Sequence, residues 1–275
     1  MHDGVLRVAL YQGPETAAGG DPDPRANLAA IGRAAGRAAE AGAGLLITPE
    51  MSLTGYAIGA ERVAALAEPV PGPLTEAAAA IAREHGIALV VGLPERTPAG
   101  VANSVQVLDR HGRLVAGYRK AHLFGDVDRS AFVPGDVGVV RFDLDGISVG
   151  LLICYDVEFP EAVRAHALSG TDLLVVPTGL MDPYGHVAAQ LVPARAYESQ
   201  VVVAYVNRVG DEGPFTYCGG SCLIAADGTE LARAGRGEEL LVADVDPAAL
   251  AASRRVNTHL ADRRPELYRT PELPA

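Results

Sequence analysis

Short runs of apolar and β-branched residues recur along the chain, bounded by Gly, Pro and Asp: Leu6 to Gln12, Leu45 to Thr48, Ala88 to Leu93, Ser104 to Leu108, Leu114 to Tyr118, Ile147 to Ile153, Leu173 to Val176 and Val201 to Val206. Runs of this length between turn residues read as strands. The Ala-rich stretches between them read as helices. Asp23 followed by Pro24 marks the N-cap and first residue of a helix reaching about Ala41. Further helices are expected over roughly Leu74 to Glu84, Pro160 to Leu168 and His186 to Ser199, with Asp246-Pro247 capping a last one. Asp109-Arg110-His111-Gly112 turns one hairpin, and Asp145-Gly146 turns another between Val139 to Phe142 and the Ile147 run. Leu223 to Ala225, Leu231 to Ala234 and Leu240 to Val245 supply late strands around Asp227-Gly228. About a dozen strands with four or five helices predict sheets covered by helices, an α/β layered fold and not a helix bundle.

The 275 residues hold 34 Asp plus Glu against 23 Lys plus Arg, a net charge of −11. A surface that reads phosphates needs clustered Lys and Arg, so nucleic acid is excluded as a partner and a small-molecule site is favoured. With 49% apolar and 21% charged residues the composition is that of a globular chain. No linker, charge block or low-complexity tract marks a boundary, so residues 1–275 are read as one domain, the last ~20 residues forming a C-terminal tail. No apolar run reaches the ~18 to 20 residues of a membrane span, and Met1-His2-Asp3-Gly4 does not open a signal peptide. A cytoplasmic protein without a membrane partner is expected. Cys154, Cys218 and Cys222 cannot make a disulfide framework, and their odd number leaves a thiol free for chemistry.

Glu50 follows the run ending Leu46-Ile47-Thr48, Lys120 follows Val115-Ala116-Gly117-Tyr118, and Cys154 follows Gly150-Leu151-Leu152-Ile153. Each therefore stands at the carboxyl end of an expected buried strand. In α/β folds the crevice outside those ends is where ligands bind, so the three can converge on one pocket; alternatively they are three unrelated strand ends. The chemistry favours convergence. A thiol with an ordinary pKa near 8.5 needs a base and a positive neighbour to act as a nucleophile, and Glu50 and Lys120 supply both. Lys120 and the Tyr155 backbone N–H would face the oxyanion formed when a carbonyl is attacked. Glu50 and Lys120 are more easily buried together than singly, because each keeps the other charged.

The same residues and their contexts resemble the carbon–nitrogen hydrolases of the nitrilase superfamily, whose signature is a Glu, Lys, Cys triad. The matching strings are Pro49-Glu50-Met51 with Thr54-Gly55-Tyr56, Tyr118-Arg119-Lys120 with His122-Leu123-Phe124, and Cys154-Tyr155-Asp156 with Phe159-Pro160-Glu161. Asn103-Ser104, Val176-Pro177-Thr178, Arg195-Ala196-Tyr197-Glu198 and Gly219-Gly220-Ser221 extend the resemblance over nearly the whole chain. It implies a four-layer αββα sandwich, two mixed sheets covered by helices, in homodimers or larger homo-oligomers, without metal or organic cofactor. It also implies hydrolysis of a small linear amide to the acid and ammonia through a Cys154 thioester. Many members carry a second Glu after the Lys, where it positions that Lys; the matching residue here is Asp128, a shorter carboxylate. By position in the family pattern, Tyr56, Asn103 and Thr178 would line the acyl pocket.

Family members that hydrolyse N-carbamoyl amino acids carry Arg after the nucleophile, whereas this chain has Val157 and Glu158. The reversed sign points to a cationic amine on the substrate, held by Glu158; the alternative is that Glu158 caps the following helix. Leu10-Tyr11-Gln12-Gly13, Leu123 through Ser130 and Ile153 through Glu161 are similar to the branch acting on 5-aminopentanamide and to stereoselective amidases. An N-carbamoylputrescine-type hydrolase, which would release carbon dioxide as well, and a catalytically silent binding or regulatory subunit are the other readings. Gly146-Ile147-Ser148-Val149-Gly150 has the letters of a serine nucleophile elbow, but the apolar run continues to Ile153, so Ser148 is read as a strand residue. Cys218 and Cys222 lack partners for zinc and are expected to be packed thiols, and His122 is expected to fix its loop.

Overall fold

The computed structural model describes residues 4–13 and 23–268. The first half of the chain builds β1 (Leu6–Gln12), α1 (Pro24–Glu40), β2 (Leu45–Ile47), α2 (Ala60–Leu66), α3 (Pro73–His85), β3 (Ala88–Thr97), β4 (Gly100–Leu108), β5 (Leu114–Arg119) and α4 (Gly125–Arg129). Then come β6 (Val140–Leu144), β7 (Ile147–Leu151), α5 (Pro160–Leu168), β8 (Leu173–Pro177), α6 (Val192–Ser199), β9 (Val202–Val206), β10 (Val209–Glu212), β11 (Phe215–Cys218), β12 (Cys222–Ile224), β13 (Glu230–Arg233), β14 (Glu239–Val245) and α7 (Pro247–Val256). Two six-stranded mixed sheets result, in the orders β14-β1-β2-β3-β4-β5 and β13-β12-β9-β8-β7-β6, with β10 and β11 as a separate hairpin. β14 is the one late strand that returns to the first sheet, antiparallel to β1 along its full length.

Side chains alternate across a strand, so each strand of the first sheet serves two cores. Val8 and Leu10 of β1, with Leu45, Ile47 and Val90, pack toward the second sheet against Val149, Leu151, Leu173 and Val175. Ala9 and Tyr11, with Leu46, Leu89 and Val91, pack outward against Ile31, Ala34, Ala35 and Ala38 of α1 and Ala78, Ala79 and Ala82 of α3. In α1 the buried positions Asn27, Ala30, Ile31, Ala34, Ala35 and Ala38 fall at three- and four-residue spacing, which is one face of a helix. Their small side chains let the helix lie close on the sheet. The αββα sandwich follows from these two interfaces.

Asp23 accepts from Arg25 N at 2.9 Å and caps α1, and Asp246 caps α7 in the same way. Asp145 and Gly146 both have positive φ, as a two-residue hairpin turn requires. Ser148 lies inside β7, so the serine-elbow letters mark a strand. One expectation is corrected: Lys120 does not follow a buried strand. β5 pairs only with β4 and forms an open edge, and its Leu114 and Val115 are exposed. α2, α4 and the β10–β11 hairpin were not expected from the sequence, being short and lacking a sustained apolar period. After α7, residues 257–268 carry only a 3-10 turn at Pro265–Leu267, and the remainder of the expected tail lies outside the described residues. No helix among the described residues is long and apolar enough to cross a membrane.

The loop after β2 is held against β3 at a glycine. Leu53 N donates to Gly92 O at 2.9 Å, Gly92 N donates to Ser52 Oγ at 3.1 Å, and a Cβ on Gly92 would stand 2.4 Å from Met51 N. Gly92 thus permits the turn that carries Glu50. Gly92→Ala is expected to cost roughly 1–3 kcal/mol of stability by overpacking. Denaturant unfolding checks this; an unchanged midpoint would show that the loop adapts freely.

Candidate active site

Glu50 leaves β2 through Thr48 and Pro49, and its backbone N–H donates to Thr178 O at the end of β8 at 3.3 Å, a bond from one sheet to the other. Lys120 directly follows β5; its N–H donates to Asn103 O and its carbonyl accepts from Gly135 N, both at 2.8 Å. Cys154 opens a 3-10 turn, Cys154–Glu158, with a positive φ of 47° that non-glycine residues rarely adopt. Different elements therefore present the three predicted side chains, and the topology brings them together.

Glu50, Lys120 and Asp128 have no solvent exposure. The Lys120 ammonium lies 2.8 Å from Glu50 Oε1 and 2.7 Å from Asp128 Oδ2, and 5.5 Å from the centroid of the Tyr56 ring. Asn103 Nδ2 donates to Glu50 Oε1 at 2.7 Å, whereas Glu50 Oε2 is buried without a hydrogen-bond partner among the described residues. Asp128 is held in turn: the Tyr56 hydroxyl donates to Oδ1 and Phe124 N donates to Oδ2, each at 2.8 Å. The shorter side chain at 128 reaches the ammonium because α4 brings its backbone close.

Burial pushes the Glu50 carboxyl up; Lys120 pulls it back and Asp128 pushes it up again, leaving it above its ordinary 4.5. For Lys120, burial alone would lower the value, but attraction to Glu50 and its other neighbours holds it well above 10.5. The Cys154 thiol is raised, by burial first and by Glu50 second, with Lys120 opposing. At neutral pH the thiol therefore stays protonated, close enough to Glu50 and Lys120 for both to act on it. Cys154 is partly exposed, at the floor of a narrow cleft lined with Tyr56, Phe124, Tyr155, Gly179, Met181 and Tyr184. A Cβ on Gly179 would stand 3.2 Å from Glu50 Oε2, so that oxygen lies directly behind the cleft wall.

Tyr56 lines this cleft and Glu158 stands in its wall. Glu158 is half-buried, burial raises its carboxyl pKa, and no hydrogen bond or ion pair to its carboxylate is made among the described residues. It does not cap α5, whose N-cap is Phe159 without a side-chain cap bond. Asn103 and Thr178 lie beneath the cleft: Asn103 holds Glu50, and Thr178 Oγ1 is 3.0 Å from the Tyr205 hydroxyl. The Tyr155 N–H sits in the first turn of the 3-10 helix, where backbone donors have no partner within the helix. Cys218 and Cys222 are buried, and His122 is bonded to Asp156 at 2.7 Å. Among the described residues no group of three or more His, Cys, Asp or Glu is placed to hold a metal ion.

Two bracing residues gave no local sequence signal. Glu212 Oε2 accepts from Tyr56 N at 3.0 Å, Ala57 N at 2.7 Å and the Tyr217 hydroxyl at 2.7 Å. Asn207 accepts from Leu180 N at 2.8 Å and donates to Leu180 O at 3.0 Å, fixing the other wall. Only the folded chain reveals these pairings.

The sequence profile of the carbon–nitrogen hydrolases matches residues 7–255. A relative from Pseudomonas protegens described as "Hydrolase in pqqF 5'region" is 46% identical over 265 residues, 96% of this chain and 91% of that protein. An (R)-stereoselective amidase from a Pseudomonas species is 39% identical over 225 residues, 80% of this chain and 79% of the relative. Among solved structures, a double mutant of the amidase from Nesterenkonia sp. AN1 in complex with acrylamide superposes with a TM-score of 0.83 at 36% identity, covering 98% of this chain and 97% of that one. Another mutant of that amidase shows covalent addition of the acetamide moiety of fluoroacetamide at its active-site cysteine. With the profile spanning nearly the whole chain and the αββα architecture shared, this chain belongs to the carbon–nitrogen hydrolase family of the nitrilase superfamily and is an enzyme.

Proposed function

We propose that the enzyme hydrolyses small linear amides to the carboxylic acid and ammonia, with Cys154 as nucleophile, Glu50 as general base and acid, and Lys120 with the Tyr155 N–H as the oxyanion site. One observation carries the reading: a fully buried Glu50–Lys120–Asp128 ion cluster behind a thiol at the floor of a narrow cleft. In this scheme the Cys154 thiol attacks the amide carbon while its proton passes to Glu50. The oxyanion is held by Lys120, whose charge is secured by its two carboxylate neighbours. Collapse of the tetrahedral intermediate breaks the C–N bond, and Glu50 returns the proton to the leaving nitrogen. Glu50 then takes a proton from water, whose attack on the thioester releases the acid and restores the thiol. Mutants of the Nesterenkonia amidase, one in complex with acrylamide and another carrying the acetamide moiety of fluoroacetamide on its active-site cysteine, support a small amide as the substrate class.

Asp128 serves in this scheme by holding Lys120 and by raising the basicity of Glu50. Glu158, a half-buried carboxylate without a partner among the described residues, favours substrates with a cationic amine, such as 5-aminopentanamide. A charge-assisted contact of this kind is worth about 1.5–3 kcal/mol, or about 10- to 100-fold in binding.

Ammonia release from 5-aminopentanamide should depend on Cys154, and Cys154→Ala should abolish it; turnover that survives the substitution would refute the thiol mechanism. The acid limb of kcat/KM should lie above pH 4.5, because the raised Glu50 must be ionised to act, with no rise between pH 7 and 9 of the kind a preformed thiolate would give. Removing the Asp128 charge takes away an influence that raises Glu50, so Asp128→Asn should move the acid limb to lower pH and reduce kcat. A limb that stayed in place would remove Asp128 from the tuning of Glu50. Glu158→Gln should raise KM for 5-aminopentanamide about 10- to 100-fold while leaving that for butyramide within about threefold. Equal effects on the charged and neutral amides would eliminate the cationic substrate.

A further inference from the structure

Asp156 is the second residue after the nucleophile, has no solvent exposure, and takes no part in the scheme above. Its carboxylate accepts four hydrogen bonds. Oδ1 receives the His122 backbone N–H at 2.9 Å and lies 2.7 Å from His122 Nδ1. Oδ2 receives the Tyr118 hydroxyl at 2.9 Å and the Ile153 N–H at 3.1 Å. With Nδ1 as donor, all four bonds point toward the carboxylate, so they use the full acceptor capacity of its two oxygens.

The positions of the donors give the arrangement its meaning. Tyr118 and His122 flank Lys120 two residues to either side, and Ile153 immediately precedes Cys154. β5 and β7, which deliver Lys120 and Cys154, are edge and next-to-edge strands of different sheets and share no ladder. Without a ladder, the separation of ammonium and sulfur is set by whatever ties the two strand exits together. The His122 ring is also stacked on Phe159 with centroids 3.9 Å apart, and Phe159 meets Tyr155 edge-on at 5.0 Å. The same anchor thereby reaches the residue whose N–H faces the oxyanion.

We propose that Asp156 is a positioning residue that aligns Cys154 and the Tyr155 N–H with Lys120 across the junction of the two sheets. It acts through geometry on carbonyl attack and not through the reactivity of the thiol. The proposal rests on the roles assigned above to Cys154 and Lys120. An amide in place of the carboxylate would turn one acceptor into a donor facing other donors, loosening one of the two strand exits.

The test compares two reactions of Cys154 in the full-length enzyme. p-Nitrophenyl acetate acylates the thiol: an S–C bond forms, p-nitrophenolate leaves, the thiol proton passes through Glu50 to solvent, and an oxyanion must be held on the way. Iodoacetamide alkylates the same thiol by displacing iodide, and no oxyanion arises. Asp156→Asn is expected to slow acylation roughly 10- to 100-fold, the scale set by an ångström of misplacement, while alkylation stays within about threefold. With an amide substrate the loss should fall on kcat and leave KM within about threefold. Tyr118→Phe and His122→Phe each remove one donor while keeping a ring, and should give smaller losses of the same pattern; they decide the matter if Asp156→Asn does not fold. Acylation at the wild-type rate in folded variants, or acylation and alkylation falling in parallel, would overturn the proposal. Because the ester probe needs no amide specificity, an enzyme that is acylated yet hydrolyses no amide would refute the proposed substrate and leave the alignment measured.

Discussion

A single ammonium buried between two carboxylates holds the site together. Lys120 could not stay charged alone at zero exposure, since transferring an isolated ammonium from water costs several kcal/mol even after relaxation. Glu50 at 2.8 Å and Asp128 at 2.7 Å offset that cost, and each is itself steadied by a neutral donor, Asn103 for Glu50 and Tyr56 for Asp128. Burial above all, with the second carboxylate at Asp128 adding to it against the pull of Lys120, makes Glu50 a stronger base than an exposed carboxylate. That basicity is useful for chemistry. The oxygen without a partner among the described residues, Glu50 Oε2, is the one directed toward the cleft wall.

The cluster also dictates how the loops sit. Glu50 comes from the middle of the first sheet, Lys120 from its edge and Asp128 from a five-residue helix, so satisfying the ammonium draws three segments into one arrangement. Cys154 arrives from the other sheet. The bonds that cross between the sheets there, Glu50 N to Thr178 O and the three bonds from Tyr118 and His122 to Asp156, are polar and largely buried, and such bonds have one good geometry where apolar packing has many. The apolar interior between the sheets makes the sandwich stable; the polar junction at its end makes the site specific.

Much of this was legible in the chain itself. Runs such as Leu173 to Val176 and Val201 to Val206 are too short and too uniformly apolar to be surface helices, and both are strands. Asp23 and Asp246, each before a proline, mark helix starts because their side chains accept from the second residue of the helix that follows. Glu50, Lys120 and Cys154 are legible because a base, a cation and a thiol, each following an expected strand, together make a workable nucleophile. The rest lacks a local signal. The β10–β11 strands carry Gly, Asp, Glu and Thr in place of an alternating apolar face. Asn103 was expected in the acyl pocket, yet its amide turns to Glu50, 53 positions away in sequence. Glu212, which braces the backbone of Tyr56 and Ala57, reads in the sequence as one acidic residue of a polar turn.

The sequence by itself determined the layered α/β architecture and the family, and it singled out Glu50, Lys120 and Cys154 as candidates for the chemistry, because apolar periodicity, cap residues and short motifs are local properties of a chain. It did not determine that Lys120 leaves an open edge strand, that Asp128 reaches the ammonium despite its shorter side chain, or that Asp156 joins the two strand exits. Those were decided by the tertiary structure. Hydrogen bonds and ion pairs depend on distances of a few tenths of an ångström between residues far apart in the chain, and only the packing of the two sheets sets such distances.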